Sequence, residues 1–338
     1  MVSWNEILRE FHETKLPDGR ADADRVRRGK ITDLATLTGR PLVTYSADFL
    51  NQQKAAASGN EVSIDFRDKE GFLEVTKDLP PGPLDMLIHS AGGLAEAAEA
   101  IVKLLRPKFN HIRFIVPNVA KSAATMLALS GNEIVMDEIS ELGPIDPQFA
   151  LPRGDGTVVF APAQAIIDQF KGAQNLLSRD PKYLPAWIPI LPLYGPALYE
   201  QCRNAIKLSK KLVEGWLSSY MFSNLPKQKA RGRARKIANF LGDHRNFLTH
   251  ARHVGVDQMK ELGANVVDMR DDPRLRDKVH ALYFAISITY DNTAAFKMVE
   301  NSSGGAYIRL VQVQQVRKRP AAPQPPQQGP AEQAPPTQ

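Results

Sequence analysis

The chain has 338 residues, 43% of them apolar, enough for one large α/β domain or two modest ones around a buried core. A net charge of +6 is a mild excess, shared by many chains that touch no nucleic acid. The single cysteine, Cys202, excludes a disulfide framework within the chain and points to a reducing compartment. The polar N-terminus lacks the apolar stretch of a signal peptide, and no run reaches the ~18 apolar residues of a membrane span, so a cytoplasmic location is expected.

In chain order, residues 3–15 and 21–39 read as charged helices, an N-terminal extension (1–40) laid on the surface. "PLVTYSADF" (41–49) and the alternating "EVSIDF" (61–66) read as strands. "KEGFLEVTKDL" has helical spacing and stops at Pro80, Pro81 and Gly82. A regular pattern follows: strand "LDMLIHS" (84–90), helix "LAEAAEAIVKLLR" (94–106), strand "HIRFIVP" (111–117), helix "SAATMLALSG" (122–131), strand "NEIVMD" (132–137). Consecutive βαβ units of this kind predict an α/β fold with a parallel sheet. Helices are then expected over 162–177, 195–222, 227–242 and 255–266, the last running into a strand. The Pro-rich aromatic stretch "SRDPKYLPAWIPILPLY" lies between the first two and reads as a loop facing a partner or covering a site. A helix near 273–289 and a hairpin around "NSSGG" (301–305) form a C-terminal part (271–316), and the Pro/Gln-rich tail from Arg317 (317–338) is expected to be disordered.

Three places carry chemistry. "HSAGG" ends a parallel strand with Gly92 and Gly93, whose backbone N–H groups can hold an anion; taken alone, a plain tight turn is the simpler explanation. Neither GxGxxG nor GxxxxGK[ST] is present, which argues against a phosphate loop. Ser122 ends the next strand and opens a helix, with small neighbours Ala120, Ala123 and Ala124 leaving room around its hydroxyl. A serine there is often only an N-cap. Both features, however, fall at the carboxyl ends of adjacent parallel strands, where open α/β sheets place their sites. "ELGPIDPQ" (141–148) follows the next strand on a rigid path, with Asp146 able to orient a base or cap a turn.

"LIHSAGG", "VPNVAKSAATMLALSGNEIVMDEISELGPIDPQ" and "ARKIANFLGDHRNFLTHARHVGVDQMKELGANV" (234–266) together resemble the serine dehydrogenase proteinase family. These are serine peptidases akin to signal peptide peptidase A within the Clp-protease and crotonase superfamily. The resemblance spans about 40–270 and implies a Clp/crotonase-like peptidase domain at 41–270, with a mostly helical later part. It implies Ser122 as nucleophile, Gly92, Gly93 and Ala123 as the oxyanion hole, and no metal or organic cofactor. The family has Met-Ser-Gly-Gly-Thr where this chain has Lys121-Ser122-Ala123-Ala124-Thr125.

A serine nucleophile needs a base. Clp-type order would put a histidine near "GPIDPQ", where none stands, which favours a Ser-Lys dyad. Lys171, Lys182, Lys207 and Lys121 are the candidates. Lys207, in a long helix, is preferred, with His250 of "LTHARHVG" as the alternative. The expectation is a serine endopeptidase acting on proteins or peptides. By family analogy it would be a homo-oligomer, with peripheral membrane association also open. The alternatives are a crotonase-type acyl-thioester enzyme and a catalytically silent scaffold. The basic run Lys227–Lys236 reads first as a solvated helix face and second as a phosphate-backbone contact, since the interleaved aromatics of a single-strand binder are missing. Cys202 reads as an inert thiol.

Overall fold

A computed structural model describes residues 2–152 and 156–311. Its centre is a seven-stranded sheet of β1 (Leu42–Ala47), β2 (Pro83–His89), β3 (His111–Val116), β4 (Glu133–Met136), β5 (Val266–Asp268), β6 (Ala295–Asn301) and β7 (Ala306–Leu310). The spatial order is β7-β6-β1-β2-β3-β4-β5. The five strands from β1 to β5 run parallel, and the β6–β7 hairpin adds antiparallel to β1. This is the α/β architecture that the repeated strand-helix spacing predicts, extended by a mixed edge.

The sheet is buried on both faces because its apolar residues alternate between two cores. Met86 and Ile88, Phe114 and Val116, and Ile134 and Met136 face one side, under the helices Asp68–Thr76, Ala95–Leu105 and Ala123–Leu129. Leu87, Ile115 and Val135 face the other, under the helices Ala23–Thr38 and Pro273–Asn292. Successive strand residues point to opposite faces, so each strand serves both layers. The second N-terminal helix is therefore a structural cover and not a surface layer. It buries Ile31 and Leu34, and its fully inaccessible Arg27 donates to Glu300 of β6 through Nε at 2.5 Å and a terminal nitrogen at 2.9 Å.

Three further expectations change. "EVSIDF" does not form a strand: it runs from a 3-10 turn (Gly59–Val62) into an isolated bridge between Ile64 and Gly93. The Pro-rich stretch after Arg179 folds into short turns, Pro181–Tyr183, Leu184–Trp187 and Leu191–Tyr194. A hairpin of Gln148–Pro152 with Val158–Pro162, unforeseen from the pattern, follows the "GPIDPQ" loop. The tail from Arg317 lies outside the described residues. Among those residues, no helix is long and apolar enough to cross a membrane.

Candidate active site

Beyond the carboxyl ends of β2, β3 and β4 the backbone continues into a short second row of pairings. Ser90 bridges Ala120, the segment Val119–Ala120 pairs parallel with Glu141–Leu142, and Leu142 bridges Val254 antiparallel. This row brings four distant segments side by side. Gly92 and Gly93 follow Ser90, Ser122 follows Ala120, Asp146 follows Leu142, and His250 precedes Val254. Thr125 ties the row together: its hydroxyl donates to Ala120 O at 2.6 Å and accepts from Gly143 N–H at 2.9 Å. One threonine thus fixes the Ser122 turn against the loop that carries Asp146.

Ser122 sits in a conformation that side chains rarely adopt, φ 49° and ψ −120°. Such backbone costs about 1–3 kcal/mol and persists only where its surroundings enforce it. The enforcement is visible. Lys121 N–H donates to Ser90 O at 3.0 Å, and Lys121 O accepts from Ala124 N–H at 2.8 Å, closing the turn on both sides. The hydroxyl makes no capping bond to the helix Ala123–Leu129 that it precedes. It lines an open cleft of about 1350 Å³. The plain N-cap explanation is therefore absent.

The two glycines are required by space as well as by φ. A Cβ on Gly92 would lie 2.7 Å from the Ser122 Cβ, and one on Gly93 would lie 2.3 Å from Ile64 O. Their φ values, 101° and 156°, fall in the region that favours glycine. Their amides differ. Gly92 N–H already donates to the Ser90 hydroxyl at 3.1 Å, so Gly92 is not a free donor, contrary to the expectation for it. Gly93 N–H and Ala123 N–H have no acceptor among the described residues, and both residues line the cleft beside Ser122. Ala123 and Ala124, which replace the glycines of the resembling family, are buried in the helix, and only Ala123 borders the cleft.

Asp146 is buried and accepts from two imidazoles. His250 Nδ1 lies 2.7 Å from Oδ1, and His244 Nδ1 lies 3.0 Å from Oδ2. Gln148 also donates to Oδ2, at 3.2 Å. With both Nδ1 atoms facing a carboxylate, each ring directs its Nε2 elsewhere, and both histidines line the Ser122 cleft. The Asp146 loop is pinned by Ile145 N–H to Leu241 O at 2.9 Å, at the end of the helix Lys227–Leu241. His244 escaped the sequence reading. Its signal was "DHRN" just after that helix, a short capped turn like many others.

The lysines fall elsewhere. Lys207, the preferred base, and Lys171 border a separate pocket, and Lys207 does not line the Ser122 cleft. Lys182 is exposed and pairs with Asp180 at 2.6 Å. Lys121 lays its stem across Gly143 and pairs with Glu141 at 2.7 Å. The helix Leu198–Trp216 turns Ala205, Leu208 and Ser209 to the Ser122 cleft and Lys207 away from it, which a sequence pattern alone does not reveal. Cys202 is buried, and burial pushes its thiol up to about 11, in keeping with an inert thiol. The basic run forms the helix Lys227–Leu241; Lys227, Arg231 and Arg235 border a groove with Lys210 and Lys211, apart from the cleft. No cluster of metal-ligating side chains occurs among the described residues.

Residues 62–166 match the family model described as ClpP-like SDH-type serine proteinase. That segment holds Gly92, Gly93, Ser122, Ala123 and Asp146, and the resemblance read from the sequence stands on it. Two uncharacterized proteins of Methanocaldococcus jannaschii are similar over most of the chain. One is 27% identical across 65% of this chain and 64% of its own length. The other is 26% identical across 60% and 59%. The matched span thus covers less than two thirds of either relative. Two solved structures of a membrane-bound stomatin-specific protease align more loosely. A serine-to-alanine mutant has TM-score 0.36 and 16% identity, covering 64% of this chain and 79% of that one. A lysine-to-alanine mutant with a substrate peptide has TM-score 0.29 and 15% identity, covering 61% and 86%. Superpositions that loose support no transfer of residues.

Proposed function

We propose that this chain is a serine peptidase with a Ser122–His250–Asp146 triad. Ser122 Oγ attacks the scissile carbonyl carbon, and His250 Nε2 takes the hydroxyl proton. The tetrahedral oxyanion accepts from Gly93 N–H and Ala123 N–H. When the intermediate collapses, the departing amine takes the proton from His250, and water then cleaves the acyl-serine by the same route. Asp146 accepts Nδ1–H, which sets the tautomer and steadies the imidazolium. His250 is taken as base over His244 because its bond to Asp146 is shorter, 2.7 against 3.0 Å, and its side chain is more open, 27% against 14%. The observation that carries the reading is the convergence on one cleft of a strained serine, two unclaimed amides and an Asp-oriented imidazole.

The lining also bears on the acyl-thioester alternative. Among the described residues, its charged groups outside the triad region are Glu61, Asp65 and Glu96, against Arg67. Arg67 is held by Glu61, and Arg309 by Glu61 and Asp65, so phosphates of a nucleotide thioester would find these cations already paired, whereas an extended peptide would meet the exposed Phe66, Leu94 and Phe160. A protein or peptide substrate and a homo-oligomeric assembly belong to this proposal.

The test is hydrolysis of an unfolded, casein-like protein. The purified chain should cleave it, and Ser122→Ala should abolish cleavage with an unchanged circular dichroism spectrum. Cleavage persisting in that variant overturns the mechanism.

A further inference from the structure

A fully buried ion pair lies behind the cleft and takes no part in the chemistry above. Lys297 of β6 and Asp68, the first residue of the helix Asp68–Thr76, are both inaccessible. Lys297 Nζ donates to Asp68 Oδ1 at 2.8 Å and Oδ2 at 3.0 Å, and to Ser63 O at 2.8 Å. Asp68 Oδ2 also accepts from the Tyr45 hydroxyl at 2.8 Å and from Asp65 N–H at 2.9 Å. The network therefore grips the backbone on both sides of Ile64. Removing two charges from water costs about as much as their attraction returns, so such a pair is weak evidence of a purely stabilising role.

What Ile64 holds is the glycine turn. Its N–H donates to Gly92 O at 2.8 Å, and its carbonyl accepts from Leu94 N–H at 2.9 Å. In a trans peptide the C=O and N–H point in opposite directions. Anchoring Gly92 O on Ile64 therefore aims Gly93 N–H away from Ile64. Without the anchor, the peptide between two glycines lacks any Cβ to resist rotation, and the donor can swing out of line. The clamp is also tight: a Cβ added to Gly93 would lie 2.5 Å from Ile64 N and 2.3 Å from Ile64 O.

We propose that Lys297 and Asp68 are positioning residues for the oxyanion donor, holding Ile64 so that the Gly92–Gly93 peptide keeps its N–H facing Ser122. This rests on the peptidase reading. The experiment compares the wild-type chain with the neutral pair Lys297→Met/Asp68→Asn and with the milder Tyr45→Phe, which removes a single hydroxyl from Asp68. Two quantities are read: amide hydrogen exchange at Ile64 and Leu94, and kcat against KM for peptide hydrolysis. The pair should exchange at least about tenfold faster at Ile64 and Leu94, with exchange at Leu87 and Ile115 unchanged. Its kcat should fall on the order of 10²-fold, as for loss of one oxyanion donor, with KM within about twofold. Tyr45→Phe should move both quantities in the same direction by a smaller factor, and it decides the matter if the pair does not fold. Unchanged exchange at Ile64 and Leu94 overturns the inference. So does faster exchange with unaltered kcat, and in that case the peptidase reading stands. A wild-type chain without Ser122-dependent hydrolysis overturns the reading itself, and the positioning role with it.

Discussion

Ser122, implied as a nucleophile by the family resemblance, is held in a rarely adopted backbone conformation with φ 49°. "KSAAT" at a strand-helix junction is compatible with a cap; φ 49° without a capping bond is not what a cap needs. Gly92 and Gly93 were legible as a turn, but the difference between their amides was not, because it depends on the Ser90 hydroxyl. Lys207 shows the opposite limit. Helical spacing said that it sits on a long helix, and nothing local said which side of that helix meets the cleft. Substitution at Gly93 gives a prediction at this scale. Gly93→Ala places a methyl 2.3 Å from Ile64 O, so the turn must shift. Hydrolysis should drop by about 10²-fold or more, as when an oxyanion donor is misplaced. Steady-state kinetics on the purified variant checks this, and near-wild-type kcat would mean that the Gly93 amide is not used.

At the scale of elements, the βαβ repeats were readable because strands and helices differ in apolar period and are punctuated by Gly and Pro. The short second row was not, since each of its members is one or two residues long and is defined only by its partners. "EVSIDF" alternates like a strand, yet among the described residues Ile64 finds only Gly93 to pair with, so alternation alone overstated it. His244 lay beyond reach, and His250 stood only as an alternative, for the same reason: about a hundred residues separate them from Asp146, and the Leu142–Val254 bridge with the Ile145–Leu241 bond brings them back. Thr125 joins the helix, the Ala120 strand and the Gly143 loop. Thr125→Val keeps its shape but leaves Gly143 N–H unpaired, at a cost of about 1–3 kcal/mol. Thermal unfolding should register that loss, and kcat should fall with it as Asp146 drifts from Ser122. Lost stability with full kcat would mean that the Asp146 loop holds its place without Thr125.

For the whole molecule, burial ties stability to pH. His89 lies inside the fold between Phe49 and Tyr283, and burial pushes its pKa down to about 4. The unfolded chain protonates this group below its ordinary value of 6.5, while the folded chain resists until about 4. Its contribution is therefore complete above pH 6.5 and is lost as pH falls towards 4, amounting to about 3 kcal/mol. His280, also lowered by burial, acts with the same sign. His89→Gln should flatten the fall in urea-unfolding free energy across that window. An unchanged slope would show that other groups set it.

The central claim is that Ser122 is activated by an imidazole held on Asp146, not by Lys207. Labelling with a fluorophosphonate probe, followed by mass mapping of the adduct, tests it most directly. The account predicts an adduct on Ser122 that forms on the order of 10³–10⁴-fold more slowly in His250→Ala and Asp146→Asn, and at the wild-type rate in Lys207→Ala. An adduct on another residue, or labelling lost in Lys207→Ala but intact in His250→Ala, would contradict it.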